Sequence, residues 1–267
     1  MKTDYDLIVV GGGPGGYVAA LRGAQLGLRT ALVEKDDQLG GTCLLRGCLP
    51  TKALLHAAEV WRLCSKGAST FGVQVSEATF DWEKIQRRRS QATVEGSHGV
   101  ALLLANAGVT VLHGHGRLDG PGQVRIEGDG VPPLVTAPKI ILATGSSPAG
   151  LPGVEIDGHR IVNSDHLLAC HEVPESMIVL GAGPVGVELA SVMQSFGCRV
   201  TLVEVENQVL PREDADCADE LVQALKGQGM KVHTGTKARE IGATADGVKC
   251  ILDDRNSGVR TETESAI

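Results

Sequence analysis

Short apolar runs alternate with longer amphipathic stretches along this chain, the pattern of strands and helices in an α/β fold. The apolar run Leu7–Val10 leads into a glycine-rich turn, a helix pattern over Tyr17–Leu26 and a second apolar run, Thr30–Val33. Runs of this length, separated by a helix, are typical of buried parallel strands. The N-terminal segment is therefore predicted to form a βαβ unit.

The same plan recurs in the second half of the chain. Met177–Leu180 leads into another glycine-rich turn, a helix pattern over Val187–Phe196 and the strand-like run Val200–Val203. Glu34 and Glu204 end the two second strands, each 23 residues after the first glycine of its turn. The repeat predicts two βαβ starts built alike.

Each copy has the spacing and the context of a dinucleotide-binding fingerprint. The first glycine permits a tight turn, the second lets backbone approach a pyrophosphate, and the third lets helix and strand pack closely. The acidic residue is placed to accept hydrogen bonds from ribose hydroxyl groups. Two complete copies favour nucleotide binding over two ligand-free turns; their residues are Gly11, Gly13, Gly16 and Glu34, then Gly181, Gly183, Gly186 and Glu204.

Two further features mark the organisation of the chain. An amphipathic helix is predicted over Asp81–Asn106, and a buried strand over Lys139–Ala143. Proline and glycine residues then interrupt the pattern, which predicts a first domain over 1–149 and a second over 150–267. The second domain ends where the repeat leads us to expect another strand, so we expect that its C-terminal end is truncated.

Composition narrows the class of protein. The formal net charge of −7 and the pI near 5.6 disfavour binding to nucleic acid or to anionic membranes. No apolar run has the length of a membrane span. The odd count of seven cysteines, with no signal-peptide pattern, indicates a reducing compartment and a cytoplasmic protein.

Candidate redox chemistry follows the first repeat. Cys43 and Cys48 could close a disulfide across one irregular turn, and Pro50 suits the first turn of a helix. Cys48 is then expected at a helix N-terminus with Lys52 one turn further on, and both features stabilise a thiolate. Two neighbouring thiols without a function remain the alternative. No metal site is predicted, because two cysteines alone do not complete a zinc site.

These residues resemble the class I pyridine nucleotide–disulfide oxidoreductase family, and among its members most closely the dihydrolipoyl dehydrogenases. The redox signature GGxCxxxxCxPxK is present from Gly40 to Lys52. Leu45, Arg46 and Thr51 depart from the residues usual in that signature. The resemblance implies an α/β fold with two Rossmann-like domains, for FAD and for NAD, without the C-terminal part of the family fold.

The resemblance also implies roles for individual residues. FAD would be held by the first glycine turn with Glu34, by Gly116, and by a second motif; that motif is Thr144, Gly145 and Ser146. Lys52 and Glu188 resemble an ion pair beside the flavin. NAD would be held by Gly181, Gly183, Gly186 and Glu204, with Ala238 as a further candidate for the adenine side.

The implied enzyme is an NAD-dependent dihydrolipoyl dehydrogenase that oxidises a protein-bound dihydrolipoyl group through Cys43, Cys48 and FAD. A carboxylate at Glu204 favours NAD over NADP, because it repels a 2′-phosphate. The alternatives are another disulfide reductase, of the glutathione or mercuric reductase type, and a catalytically silent nucleotide-binding fragment. The implied partners are a lipoyl domain and, as in the family, a second copy of the full-length chain in a homodimer; the family's catalytic His and Glu belong to a C-terminal portion that this sequence does not contain.

Overall fold

The computed structural model describes residues 3–255 and 257–267 and divides into two compact units. The first unit joins the chain up to Pro50 with Arg89–Ser147, and the second joins Thr51–Arg88 with Pro148–Ile267. The helices are α1 Pro14–Gln25, α2 Cys48–Arg62, α3 Trp82–Asn106, α4 Ser164–Leu168, α5 Pro184–Ser195 and α6 Ala215–Gly227. The strands are β1 Leu7–Val10, β2 Thr30–Glu34, β3 Thr110–His113, β4 His115–Gly120, β5 Gln123–Glu127, β6 Leu134–Thr136, β7 Ile140–Leu142, β8 Ser176–Leu180, β9 Arg199–Val203, β10 Lys231–His233, β11 Thr236–Ala243, β12 Val248–Asp254 and β13 Arg260–Ser265.

The first unit is built on a parallel sheet of order β3-β2-β1-β7, with a separate antiparallel sheet of order β4-β5-β6. Both faces of β1 are buried, because successive side chains enter different clusters. Leu7 and Val9 pack in a cluster with Leu104 of α3, whereas Ile8 and Val10 pack with Val124 of β5. The parallel sheet thus has apolar packing on both faces, which explains the continuous apolar run of β1.

The second unit repeats the plan with a parallel sheet of order β10-β9-β8 and an antiparallel sheet of order β11-β12-β13. Its main cluster places Met193 of α5 beside Leu202 of β9 and Leu225 of α6, each fully buried. A smaller cluster joins Val203 to Cys250 and Leu252. The predicted α/β class with parallel sheets is confirmed.

One segment differs from the two continuous domains predicted. Thr51–Arg88 groups with the second unit, and the unit boundaries fall inside α2 and α3. Burial explains this assignment, since Leu54, Ala58 and Trp82 lie in the apolar cluster of the second unit together with Phe196. Such long-range packing leaves no signal in the local pattern of the sequence.

The two βαβ starts correspond residue for residue. Helices α1 and α5 both contain 12 residues and begin with proline after Gly13 and Gly183, whose φ is −71° in both copies. Late in each unit a carbonyl accepts an equivalent hydrogen bond: Lys139 from Ile8 N–H at 3.0 Å, and Ile267 from Ile178 N–H at 3.0 Å. Among the described residues, none of the helices combines the length and the apolar character needed to cross a bilayer.

Candidate functional site

The first glycine turn is shaped by backbone that only glycine tolerates. Gly11 has a φ of +107°, in the left-handed region that favours glycine. A Cβ at Gly16 would lie 1.7 Å from the Gly11 carbonyl oxygen, so this position allows α1 to approach β1. Gly13 has extended backbone and room for a Cβ, and no side chain caps the helix that it precedes. The start of α1 therefore remains open to an anion.

Glu34 ties the end of β2 to this turn. Its carboxylate is buried and accepts hydrogen bonds from Gly12 N–H through Oε2 and from Asp36 N–H through Oε1 at 2.8 Å. A carboxylate oxygen has two lone pairs, so each can still accept a ribose hydroxyl. The geometry matches the predicted role, which remains a prediction.

Most of the residues predicted for FAD meet around one cavity of about 410 Å³ in the first unit, whereas Gly16 does not line it. Gly116 reaches it from β4, where a Cβ would lie 3.0 Å from Val10 and Val33. The predicted residues in the lining are Gly11, Gly13, Glu34, Gly116, Thr144, Gly145 and Ser146. Glycine turn, open helix start and carboxylate therefore fit a nucleotide with a pyrophosphate.

The second unit repeats the turn with the same hydrogen bonds. Gly181 has a φ of +105°, and a Cβ at Gly186 would lie 2.0 Å from its carbonyl oxygen. The buried Glu204 accepts from Ala182 N–H at 2.7 Å and from Glu206 N–H at 2.9 Å. A Cβ at Gly183 would meet no atom within 4 Å beyond the adjacent residues of the chain. The turn therefore has the features that a second dinucleotide requires.

Not all residues predicted for NAD meet in one cavity. The largely apolar cavity of the second unit, about 330 Å³, is lined by Gly181 and Gly186 but not by Gly183, Glu204 or Ala238. Ala238 lies in β11 opposite Leu252 and packs, half-buried, in the apolar cluster around Val203. Ala238 therefore packs against the end of β9, next to Glu204 in the sequence, and does not line the cavity.

The two candidate redox cysteines flank a short irregular segment. Cys43 lies half-buried in a π-helical turn, Thr42–Arg46, and Cys48 is the exposed first residue of α2. Both are thiols in this structure. The helix start and Pro50 in its first turn agree with the sequence, while the Cys43–Cys48 pairing stays a prediction.

Two other cysteines, Cys198 and Cys250, are buried and unreactive. Burial raises the pKa of Cys198 to about 12, and it also raises the pKa of Cys250. Thiols in such surroundings stay protonated and unreactive at neutral pH. Among the described residues, no group of three or more His, Cys, Asp or Glu side chains is arranged to hold a metal ion.

Lys52 and Glu188 form an ion pair within the second unit. Lys52 Nζ donates to Glu188 Oε1 at 2.6 Å, joining α2 to α5 across 136 residues of sequence. Both side chains are accessible, with exposed fractions of 59% and 30%. The pairing implied by the resemblance is therefore present, and its position beside a flavin remains a prediction.

Sequence reasoning missed two residues at the first cavity. Asp36 lies two residues after Glu34, as Glu206 lies two residues after Glu204. In both copies the backbone N–H at that position donates to the carboxylate of the earlier glutamate. The repeat could have predicted this position, since an acidic residue stands two positions after the glutamate in both copies. Arg46 was noted only as a departure from a signature, yet it lines the cavity and pairs with Asp36 at 2.7 Å.

Comparisons with known proteins identify the family of this chain. The family model described as pyridine nucleotide-disulphide oxidoreductase matches residues 5–264. The chain is 43% identical to a dihydrolipoyl dehydrogenase of Bacillus subtilis (strain 168), over 89% of this chain and 52% of the relative. It is 40% identical to dihydrolipoyl dehydrogenase 3 of Pseudomonas putida, over 97% and 55%. A leghemoglobin reductase of Glycine max is 37% identical, over 100% and 51%.

A solved structure shares the fold. The Cu(II) complex of the HOCl-induced flavoprotein disulfide reductase RclA from Escherichia coli matches with a TM-score of 0.80 at 25% identity. The match covers 100% of this chain and 55% of that one. The chain thus spans about half the length of the curated relatives and of the solved structure that it matches.

Proposed function

The chain belongs to the pyridine nucleotide–disulphide oxidoreductase family, and from that membership we propose that it serves an NAD-dependent dihydrolipoyl dehydrogenase. FAD and NAD(H) are the cofactors of this family and of its dihydrolipoyl dehydrogenases. The proposed reaction oxidises a protein-bound dihydrolipoyl group and reduces NAD⁺ to NADH. Relatives with that printed name are 36–43% identical to this chain.

One observation carries the proposal. Gly41 and Thr42, which directly precede Cys43, line the same cavity as the first glycine turn and Glu34. A thiol pair next to a dinucleotide cavity is the arrangement needed to pass electrons between a disulfide and a flavin. FAD, when bound, would accept two electrons from the dithiol and supply the hydride that NAD⁺ receives.

The cysteines would exchange disulfides with the substrate. A dihydrolipoyl thiolate attacks Cys43 Sγ, which breaks the Cys43–Cys48 bond and leaves Cys48 as a thiolate. The second substrate thiolate then attacks the substrate sulfur of the mixed disulfide, closing the lipoyl disulfide and releasing Cys43 as a thiolate. The substrate has lost two electrons, which the cysteine pair has gained, and two protons. One proton ends in the hydride that NAD⁺ receives, and the other is released to solvent.

Nucleotide choice would depend on Glu204. Its buried carboxylate, held by two backbone N–H groups, suits a ribose 2′-hydroxyl and repels a 2′-phosphate. This favours NAD over NADP and favours the lipoyl enzyme over a reductase of the glutathione or mercuric type. We further propose a cytoplasmic homodimer of the full-length chain that meets a lipoyl domain of a 2-oxoacid dehydrogenase or similar complex.

Steady-state kinetics test the proposal. NADH formation from dihydrolipoamide and NAD⁺, measured on the FAD-loaded full-length protein that includes the C-terminal portion with the family's His and Glu, should exceed NADPH formation from NADP⁺ by at least tenfold, about 1.4 kcal/mol of discrimination. Cys43→Ser should abolish turnover, whereas Cys64→Ser, which changes an exposed cysteine outside the redox turn, should not. A preference for NADP⁺ would indicate another reductase of the family. Absence of turnover, with thiol titres unchanged by reductant, would indicate a silent nucleotide-binding fragment.

A further inference from the structure

An ion pair holds the turn between the two candidate redox cysteines. Arg46 ends the π-helical turn, and its Nη2 donates to Asp36 Oδ2 at 2.7 Å. Between Cys43 and Cys48 the side chains are those of Leu44, Leu45 and Arg46, followed by Gly47. Arg46 is therefore the one charged side chain by which this turn can be attached.

Asp36 is itself fixed to the nucleotide cavity. Its backbone N–H donates to Glu34 Oε1 at 2.8 Å, and its carbonyl accepts from His113 Nδ1 at 3.2 Å. Glu34 is buried and also accepts from Gly12 N–H of the glycine turn. A continuous set of hydrogen bonds thus runs from the glycine turn through Glu34 and Asp36 to Arg46.

The other end of the turn is attached through backbone. Gly40 N–H donates to the Gly12 carbonyl at 2.9 Å. Gly41 has a φ of +55°, and a Cβ there would lie 2.6 Å from the Gly13 Cα. The segment that carries Cys43 is therefore held to the glycine turn before the cysteine and to Asp36 after it.

We propose that Arg46 and Asp36 form a positioning pair that keeps Cys43 and Cys48 in a geometry suited to forming their disulfide. The inference rests on the proposed function, since it requires that these two thiols be the redox pair. An ordered turn raises the effective concentration of one sulfur at the other, because less conformational freedom is lost when the bond forms. Leu44 and Leu45 have no side-chain group that can form a hydrogen bond, which leaves that task to Arg46.

The solvent exposure of Arg46 and Asp36 sets the size of the expected change in the disulfide equilibrium. The Arg46 and Asp36 side chains have exposed fractions of 41% and 25%, so solvent and salt screen their attraction. Pairs of this kind change an equilibrium by about two- to fivefold. We therefore expect a measurable shift in disulfide formation without loss of the fold.

The test is a thiol–disulfide equilibrium on the FAD-loaded protein. In glutathione buffers the reduced cysteine pair reacts with oxidised glutathione, which gives the Cys43–Cys48 disulfide and two molecules of reduced glutathione. The fractions of reduced and oxidised protein are measured by mass spectrometry after the free thiols have been alkylated. Arg46→Met should lower this equilibrium constant about two- to fivefold. The exchanged pair Arg46→Asp with Asp36→Arg should restore it. Arg87→Met, which removes an exposed ion pair with Glu83, is the matched control and should change nothing.

The salt dependence of this equilibrium provides a second measurement. Raising the salt concentration from 0.05 M to 1 M should lower the constant in the parent protein and should hardly change it in Arg46→Met. An unchanged or larger constant in Arg46→Met, or equal salt dependence in both proteins, overturns the positioning role while leaving the proposed function intact. If the parent forms no Cys43–Cys48 disulfide, the proposed function itself fails and the positioning role fails with it. If Arg46→Met does not fold, Arg46→Lys and the salt series on the parent decide the matter.

Discussion

Glu34 and Glu204 hold their glycine turns by the same two hydrogen bonds. In each copy one carboxylate oxygen accepts from the backbone N–H after the first glycine, that of Gly12 or Ala182. The other oxygen accepts from the backbone N–H two residues after the glutamate, that of Asp36 or Glu206. Both side chains are buried to the same extent, at 6% exposure. The two sites therefore offer a matched pair for mutation, each serving as the control of the other.

Glu204→Gln should weaken NADH binding about tenfold or more, because a charge-assisted hydrogen bond to the ribose is lost. NADPH binding should weaken less, since the repulsion of a 2′-phosphate also disappears. The amide nitrogen of glutamine would face one backbone N–H, so we expect a loss of about 1–3 kcal/mol in the free energy of unfolding. Calorimetric titration with both nucleotides checks the first effect, and urea unfolding checks the second.

The control is Glu34→Gln, which should reduce FAD retention and leave the affinity for NADH unchanged. If Glu204→Gln released FAD while Glu34→Gln weakened NADH, the two nucleotides would be assigned to the wrong units.

Gly183 and Gly186 separate binding from folding within one turn. Gly183 has extended backbone and space for a methyl group, so Gly183→Ala should change stability by no more than about 0.5 kcal/mol. The methyl group would nevertheless stand where backbone approaches the pyrophosphate, and NADH affinity should fall at least about tenfold. Gly186→Ala places its Cβ 2.0 Å from the Gly181 carbonyl oxygen and should cost about 1–3 kcal/mol.

Thermal unfolding and NADH titration on both variants test this division. Equal losses of stability in the two variants would show that Gly183 is packed rather than open to a ligand.

The parts of this protein that local pattern predicts are those built from local contacts. The strand, turn and helix around Gly11 and around Gly181 follow from apolar periodicity and glycine spacing, and the start of α2 follows from Pro50. The assignment of Thr51–Arg88 to the second unit could not be predicted, because it depends on Leu54 and Trp82 packing in the same cluster as Phe196, more than 100 residues later. The Arg46–Asp36 pair was missed because two side chains ten residues apart meet only after the turn has folded.

Cys198 should make the protein less stable at alkaline pH. Burial raises its pKa to about 12, so the folded state keeps a proton that the unfolded state loses above about pH 9. The stabilisation is complete below pH 9 and is lost as the pH rises towards 12, at up to about 1.4 kcal/mol per pH unit. Cys198→Ala should flatten the fall in unfolding free energy between pH 9.5 and 11, as measured by urea unfolding.

The matched control is Cys217→Ala, which removes an exposed thiol and should leave the slope of the parent unchanged. Parallel curves for Cys198→Ala and the parent would show that another group causes the alkaline loss.

Cys43 and Cys48 should respond differently to removal of the flavin. In the proposed reaction the substrate attacks Cys43, which leaves Cys48 as the thiolate that faces the flavin. Of the two side chains, that of Cys48 is the more exposed. Bound FAD should therefore protect Cys48 from iodoacetamide in the reduced protein by at least about tenfold, while Cys43 continues to react. Exposed Cys64 serves as the internal control, with the same rate in both forms.

Substitution by serine then tests which sulfur faces the flavin. A thiolate in contact with oxidised flavin gives long-wavelength absorption, because it donates electron density that a neutral hydroxyl cannot. Cys43→Ser should keep this band, since Cys48 is then permanently unable to form the disulfide, and Cys48→Ser should abolish it. Both variants should fail to oxidise dihydrolipoamide. Flavin protection of Cys43 in place of Cys48, together with loss of the band in Cys43→Ser, would reverse the two roles, and absence of any protection or band would refute the disulfide mechanism.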